Sequence, residues 1–176
     1  MIYKFRAILD MEEDVFRDIA INEEDTLEDL HNALVNAFGF DGLEVASFYT
    51  CDDEWNQDDE EIPLFDTGEV PGEQKTMASY KLNSMLDEDN TKIIYVYDFL
   101  NMWTFFVELA AIEEPESGIS YPDLLFSHGQ MPSNAPEVNF EAENADDIFN
   151  DFDDDLDDDD FDMLDGDIHF DDNNWN

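Results

Sequence analysis

The stretch Thr26-Leu27-Glu28-Asp29-Leu30-His31-Asn32-Ala33-Leu34-Val35-Asn36-Ala37-Phe38-Gly39 decides the fold. Leu27, Leu30, Leu34 and Phe38 recur at three- and four-residue spacing, which puts them on one face of a helix. Thr26 stands as the N-cap, with Glu28 and Asp29 in the first turn where the helix dipole is positive. Gly39 sits where a left-handed residue ends a helix. Upstream, Tyr3, Phe5, Ala7 and Leu9 alternate with Lys4 and Arg6. Val15, Ile19 and Ile21 share one side of a second alternating run, so two half-buried strands precede the helix. Downstream, residues 45–50 read as a strand, 52–61 as an acidic loop and 83–86 as a short helical segment. Residues 93–99 and 103–112 follow as two more strands; in the second, Trp103, Phe105, Val107 and Leu109 face one way. This order predicts an α+β domain over 1–112, with one main helix packed across a mixed sheet in a β-grasp-like arrangement.

The rest of the chain changes character. Residues 113–140 carry Pro115, Pro122, Pro132 and Pro136 and read as irregular chain. Residues 141–176 form an acidic tail. Over all 176 residues, 49 Asp and Glu face 6 Lys and Arg, a formal charge of −43. Residues 93–176 contain 24 acids and no base, and 17 of those acids lie in 141–176. Such a charge is too large for the whole chain to be one compact sphere, and a hydrophobic content of 43% is too high for a wholly disordered one. Direct binding of DNA or RNA is excluded on the same ground, because that affinity comes from Lys and Arg displacing counterions. Anionic membranes are disfavoured too. The N-terminus has no signal-peptide core, and no apolar run approaches the roughly 18 residues of a membrane span. The lone Cys51 rules out an internal disulfide and a structural zinc site. A cytoplasmic protein is expected.

Several short motifs occur in an order that resembles a known family. They are Thr26-Leu27-Glu28-Asp29-Leu30-His31, Phe38-Gly39-Phe40 followed by Phe48, Tyr95-Val96-Tyr97-Asp98-Phe99 followed by Trp103, and Tyr121-Pro122 with Leu124, Gly129 and Pro132. The pattern is similar to that of the plasmid pRiA4b ORF-3-like family (a transposon passenger TnpR type), and covers roughly residues 1–139. The resemblance implies a shared fold and marks His31, Asp98 and Trp103 as family-site positions, but carries no settled activity. Recombination of DNA is not expected, since a serine resolvase needs several arginines around its nucleophile and only Arg6 and Arg17 exist. The chain also departs from the family pattern. Glu44 and Ala46 replace two histidines, Leu100-Asn101 replaces Gly-Asp, and Val15-Phe16-Arg17 is a reduced form of P-x-I-W-R.

Among single residues, His31 reads as a packed helix histidine. Asp98 in an apolar strand needs a partner, for which Arg17 and His31 are the candidates, or caps a turn. Cys51, followed by Asp52, Asp53 and Glu54, does not read as a reactive thiolate. The acids of 52–61 lack EF-hand spacing and read as solvated, so neither a metal nor a cofactor is expected.

The tail carries the clearest functional signal. Ile148, Phe149, Phe152, Leu156, Phe161, Leu164, Ile168 and Phe170 punctuate its carboxylates. Acidic–hydrophobic interleaving is the composition of segments that stay disordered until they meet a basic surface with apolar pockets. Charge steers the encounter and the aromatic groups anchor it. The leading expectation is therefore a non-enzymatic interaction protein. Its partner is a basic, nucleic-acid-handling protein such as RNA polymerase or a ribosomal component. Alternatives are a divergent enzyme or metal-binding domain using Asp98 and His31, an acidic nucleic-acid mimic, and an acidic stability factor without a partner.

Overall fold

The decisive helix, α1, spans Leu27–Phe38. Both halves of its capping box are made. Thr26 Oγ1 accepts the Asp29 amide at 3.2 Å, and Asp29 Oδ2 accepts the Thr26 amide at 2.9 Å. Gly39 ends the helix at φ 77°. The last turn contains no basic residue; Arg17, reaching across from the sheet, donates from Nε to the Ala37 carbonyl at 3.2 Å instead. A cation at the negative end of the helix dipole is thereby supplied by another element. The Leu27, Leu30, Leu34 and Phe38 stripe is buried, as its spacing predicts.

The computed structural model of the protein describes residues 1–136, which form one unit with its own core. Seven strands, β1 (Ile2–Leu9), β2 (Phe16–Asn22), β3 (Ala46–Cys51), β4 (Gln57–Pro63), β5 (Lys92–Tyr97), β6 (Trp103–Glu113) and β7 (Asp123–His128), make one sheet in the order β4-β3-β5-β6-β1-β2-β7. The chain is thus α+β with one main helix, but the sheet is antiparallel throughout rather than mixed. The reason lies in the crossover. β2 and β3, joined through α1, run in the same direction, but β1, β6 and β5 lie between them. A β-grasp places a parallel pair at its centre; here the β5–β6 hairpin fills that place and pairs antiparallel on both sides.

Two further expectations are corrected. The acidic stretch 52–61 is a loop only in its first part, because Gln57–Pro63 pairs with β3 and is anchored by buried Ile62. Segment 113–140, read as irregular, contributes β7, which pairs with β2 from Phe16↔His128 to Ala20↔Asp123. Segment 141–176 and its apolar residues lie outside the described residues.

α1 covers one face of the sheet, packing on Phe5, Ile19, Ile21, Tyr95 and Phe105. The 3-10 turn Met77–Ser79 and the short helix α2 (Leu82–Met85) add Met77, Leu82 and Leu86 to that layer. On the opposite face the register lines up charges of alternating sign, Lys92 beside Glu108, Glu108 beside Arg6 and Arg6 beside Asp18. Opposite charges directly across a sheet stabilise modestly, so this uncovered face is tied together without apolar cover. Beside it, Cys51, Ile94 and Val96 form a small second cluster under Tyr49, Trp55 and Phe106. Among the described residues no helix is long and apolar enough to cross a membrane.

Gly129, just past β7, has φ 79°, and a Cβ there would collide with the Asp14 carbonyl oxygen and with Val15. Gly129→Ala is therefore expected to loosen the β2–β7 pairing by about 1–2 kcal/mol. Hydrogen exchange of the amides in 123–128 should accelerate roughly ten-fold, while those of α1 keep their protection. Unchanged exchange in 123–128 would refute the close approach.

Candidate functional site

The three family-site positions fall on two separate arrangements. His31 projects from α1 into the core, where its Nδ1 lies 2.6 Å from the Tyr95 hydroxyl of β5. Tyr95 is fully buried. Removal from water pushes His31 down to about 4, and pushes the Tyr95 hydroxyl in the opposite direction, far above its usual range. At neutral pH the pair is thus an uncharged imidazole and an uncharged phenol. The reading of His31 as a packed histidine agrees with this geometry. Its partner Tyr95 was legible only as a residue of a strand and of the Tyr95-Val96-Tyr97-Asp98-Phe99 motif.

Asp98 opens the turn between β5 and β6 with φ 60°, in the left-handed region that Asp and Asn tolerate better than most residues. Its amide donates to the Val45 carbonyl at 2.8 Å, and its carbonyl accepts the Met102 amide at 2.6 Å. Its carboxylate accepts the Leu100 amide at 3.1 Å and Asn101 Nδ2 at 2.6 Å. Of the roles considered for it, Asp98 takes the turn cap. No hydrogen bond joins it to His31 or to Arg17 among the described residues. Arg17 bonds only carbonyls, those of Ala37, Phe16 and His128, and burial lowers its affinity for its proton.

Trp103 belongs to an aromatic cluster at the C-terminal end of α1. Phe40 packs edge-on to Trp103 at 5.4 Å and stacks on Tyr97 at 4.3 Å. The Tyr97 hydroxyl donates to Asp41 Oδ1 at 2.9 Å and accepts the Gly42 amide at 3.1 Å, fastening the 40–45 loop to β5. Sequence reading missed this tie, because Asp41 and Tyr97 are far apart along the chain. Burial and Asp52 push the Cys51 thiol up to about 11, which leaves no thiolate at neutral pH. Among the described residues no three His, Cys, Asp or Glu side chains are grouped so as to hold a metal ion.

Four of the positions at which the chain departs from the family pattern converge. Ala46 pairs with Tyr97, and the Val45 carbonyl holds Asp98, so Glu44, Ala46, Leu100 and Asn101 all sit at one end of the sheet. That end is apolar and open: Leu43 is 83% exposed, Leu100 93% and Phe65 61%.

A single helix laid over an antiparallel sheet is also the fold of a solved relative, a protein of unknown function from Methanosarcina mazei Go1. The two match with a TM-score of 0.61 over 72% of this chain and 68% of that one, at 20% identity. At that identity the likeness concerns the fold alone. The chain belongs to the plasmid pRiA4b ORF-3-like family, whose model matches residues 2–176. The match runs through the acidic tail, beyond the 1–139 over which the short motifs were recognised. No curated protein matches the chain.

Two outcomes follow from this geometry. Because His31 is depressed to about 4 in the folded state and titrates near 6.5 when unfolded, it contributes equally to both states above pH 6.5. Between pH 6.5 and 4 the unfolded chain takes up a proton that the folded chain refuses, so stability falls through that window by about 3 kcal/mol. The stability difference between wild type and His31→Gln, measured by urea unfolding, should shrink accordingly from pH 7 to pH 4; a constant difference would mean that His31 is not buried neutral. At the turn, Asp98→Ala removes two hydrogen bonds and leaves Ala in the left-handed region, at a cost of about 2–3 kcal/mol. Asp98→Asn should cost less than about half of that, since it keeps an acceptor and tolerates the backbone.

Proposed function

We propose that this is a non-enzymatic interaction protein that binds a basic, nucleic-acid-handling protein. One observation carries the reading: four of the six cations of the described domain are already engaged, while its carboxylates face solvent. Lys4 is paired with Glu113, Arg6 is held by both oxygens of Asp18, Arg17 is buried against carbonyls and Lys92 donates to the Asp53 carbonyl. Residues 1–136 hold 31 acids against 6 bases, and β4 alone presents Asp58, Asp59, Glu60 and Glu61 to solvent along one edge of the sheet. Such a surface repels phosphate and attracts the Lys- and Arg-rich surfaces that proteins use to grip phosphate. RNA polymerase and ribosomal components have surfaces of this kind, and partners of this sort place the protein in the cytoplasm.

On this reading the tail adds charge, and Ile148, Phe149, Phe152, Leu156, Phe161, Leu164, Ile168 and Phe170 supply apolar anchors to it. Charge alone yields encounter and salt sensitivity, whereas buried aromatic groups yield affinity and residence time. Neither nucleic acid nor a membrane is a direct partner.

Affinity capture from a host lysate tests the proposal, with the full chain beside one ending at Asn139. A basic protein retained by the full chain should be released as salt rises from ~0.1 M toward ~1 M, where the screening length falls to about 3 Å. Phe149→Ala with Phe152→Ala should weaken its retention without abolishing the salt dependence. Retention by the shorter chain as well would move recognition onto the folded domain. If neither chain holds a basic protein at low salt, the proposal fails.

A further inference from the structure

The open end of the sheet contains a pocket of about 170 Å³ walled by Val45, Ala46, Pro63, Leu64, Phe65 and Phe99. Its walls are fixed by the main chain. The Leu64 amide donates to the Ala46 carbonyl at 3.0 Å, and the Asp98 amide donates to the Val45 carbonyl at 2.8 Å, so the end of β4 and the turn after β5 are both clamped to β3. The lining is almost wholly carbon, and nothing among the described residues fills it. Small-molecule sites run to roughly 300 Å³ and more and place several polar groups inside. This pocket is smaller, and only Ser47, Glu61 and Thr67 bring polar groups to its lining; it matches one large apolar side chain.

The surroundings state what carries that side chain. Glu61 lines the pocket, with one oxygen accepting the Ser47 hydroxyl at 2.7 Å. Glu44 directly precedes Val45, Asp66 directly follows Phe65, and both are exposed. No Lys or Arg lines the pocket. An apolar pocket with Glu61 in its lining and exposed carboxylates on residues next to that lining favours an apolar group with cations beside it: the carboxylates steer the approach, and the apolar walls are desolvated on contact. A second copy of this chain is a poor occupant, because it brings a further net charge of −43 to an acidic rim.

We infer that this pocket receives one large apolar side chain from a basic segment of the partner, flanked by Lys or Arg that face Glu44, Glu61 and Asp66. The inference rests on the reading of the protein as a binder of basic proteins and adds a folded anchor point to it.

Two fluorescent pentapeptides, Lys-Lys-Phe-Lys-Lys and Lys-Lys-Ala-Lys-Lys, titrated with the full chain at low salt, test it. Burial of a phenyl group supports roughly a ten-fold advantage for the first peptide. The advantage should fall below about two-fold in Phe65→Ala and, separately, in Val45→Asn, since both sites are exposed enough to be changed without opening the core. Any contribution of the tail through charge acts on both peptides alike and cancels in the ratio. If wild type binds the two peptides equally, or the advantage survives both variants, the pocket assignment is overturned while the basic-partner reading stands. If neither peptide binds at low salt, both fall. Dimerisation that rises with concentration and disappears in Phe65→Ala would give the pocket to a second copy and overturn the proposal.

Discussion

The structure depends on the contact between the apolar stripe of α1 and the inner face of the sheet, because that contact must hold together a domain of 31 acids and 6 bases. Self-repulsion of that size opposes compactness. It is offset by burying side chains of large apolar area, among them Phe5, Phe48, Tyr95 and Phe105, on the side of the sheet that α1 covers. Hydrophobic burial is indifferent to charge, so the core keeps its strength while the periphery is given over to carboxylates. The few cations then serve structure. Arg17 is the clearest case: it ties the C-terminal end of α1 to β2 and β7 through three carbonyls without drawing on a single carboxylate.

The same constraint shapes the two faces and edges of the sheet. The face away from α1 has little apolar cover, and there Lys92, Glu108, Arg6 and Asp18 stand in alternating sign across four strands. At one edge, β4 presents consecutive carboxylates, which discourages pairing with a stray strand. The other edge, β7, presents Leu124, Leu125 and Phe126, all about half exposed. An acidic periphery thus surrounds a set of exposed apolar groups at the edges of the sheet.

His31 and Asp98 show how a family position acquires meaning from its neighbours. From the sequence His31 reads as a packed histidine and Asp98 as a structural pair or turn cap, with joint acid–base use only the alternative. In the fold one closes a buried contact with Tyr95, and the other holds a left-handed turn through Leu100 and Asn101. Of the residues that make the open pocket, Val45 read only as the start of a strand and Phe99 only as part of a family motif, while Leu64 and Phe65 carried no sequence signal. They come from three different places in the chain's itinerary around one end of the sheet, and only their convergence is informative.

By itself the sequence determined what depends on near neighbours: α1 with its caps, the alternating strands β1, β2 and β6, the presence of β5, and the acidic composition of the tail. These are legible because helical and strand periods, caps and charge act within a few residues. Tertiary structure alone decided the rest. β4 is a strand although its residues Gln57 to Glu61 disfavour one, because β3 offers a ladder and Ile62 a buried anchor. β7 joins the sheet after a proline-containing stretch, because Gly129 lets the chain approach Asp14 and Val15 closely. The sheet is antiparallel because the β5–β6 hairpin separates strands that α1 connects in parallel. Each of these is a pairing between segments distant in sequence, and pairing of that kind is set by competition among edges and faces that no local pattern records.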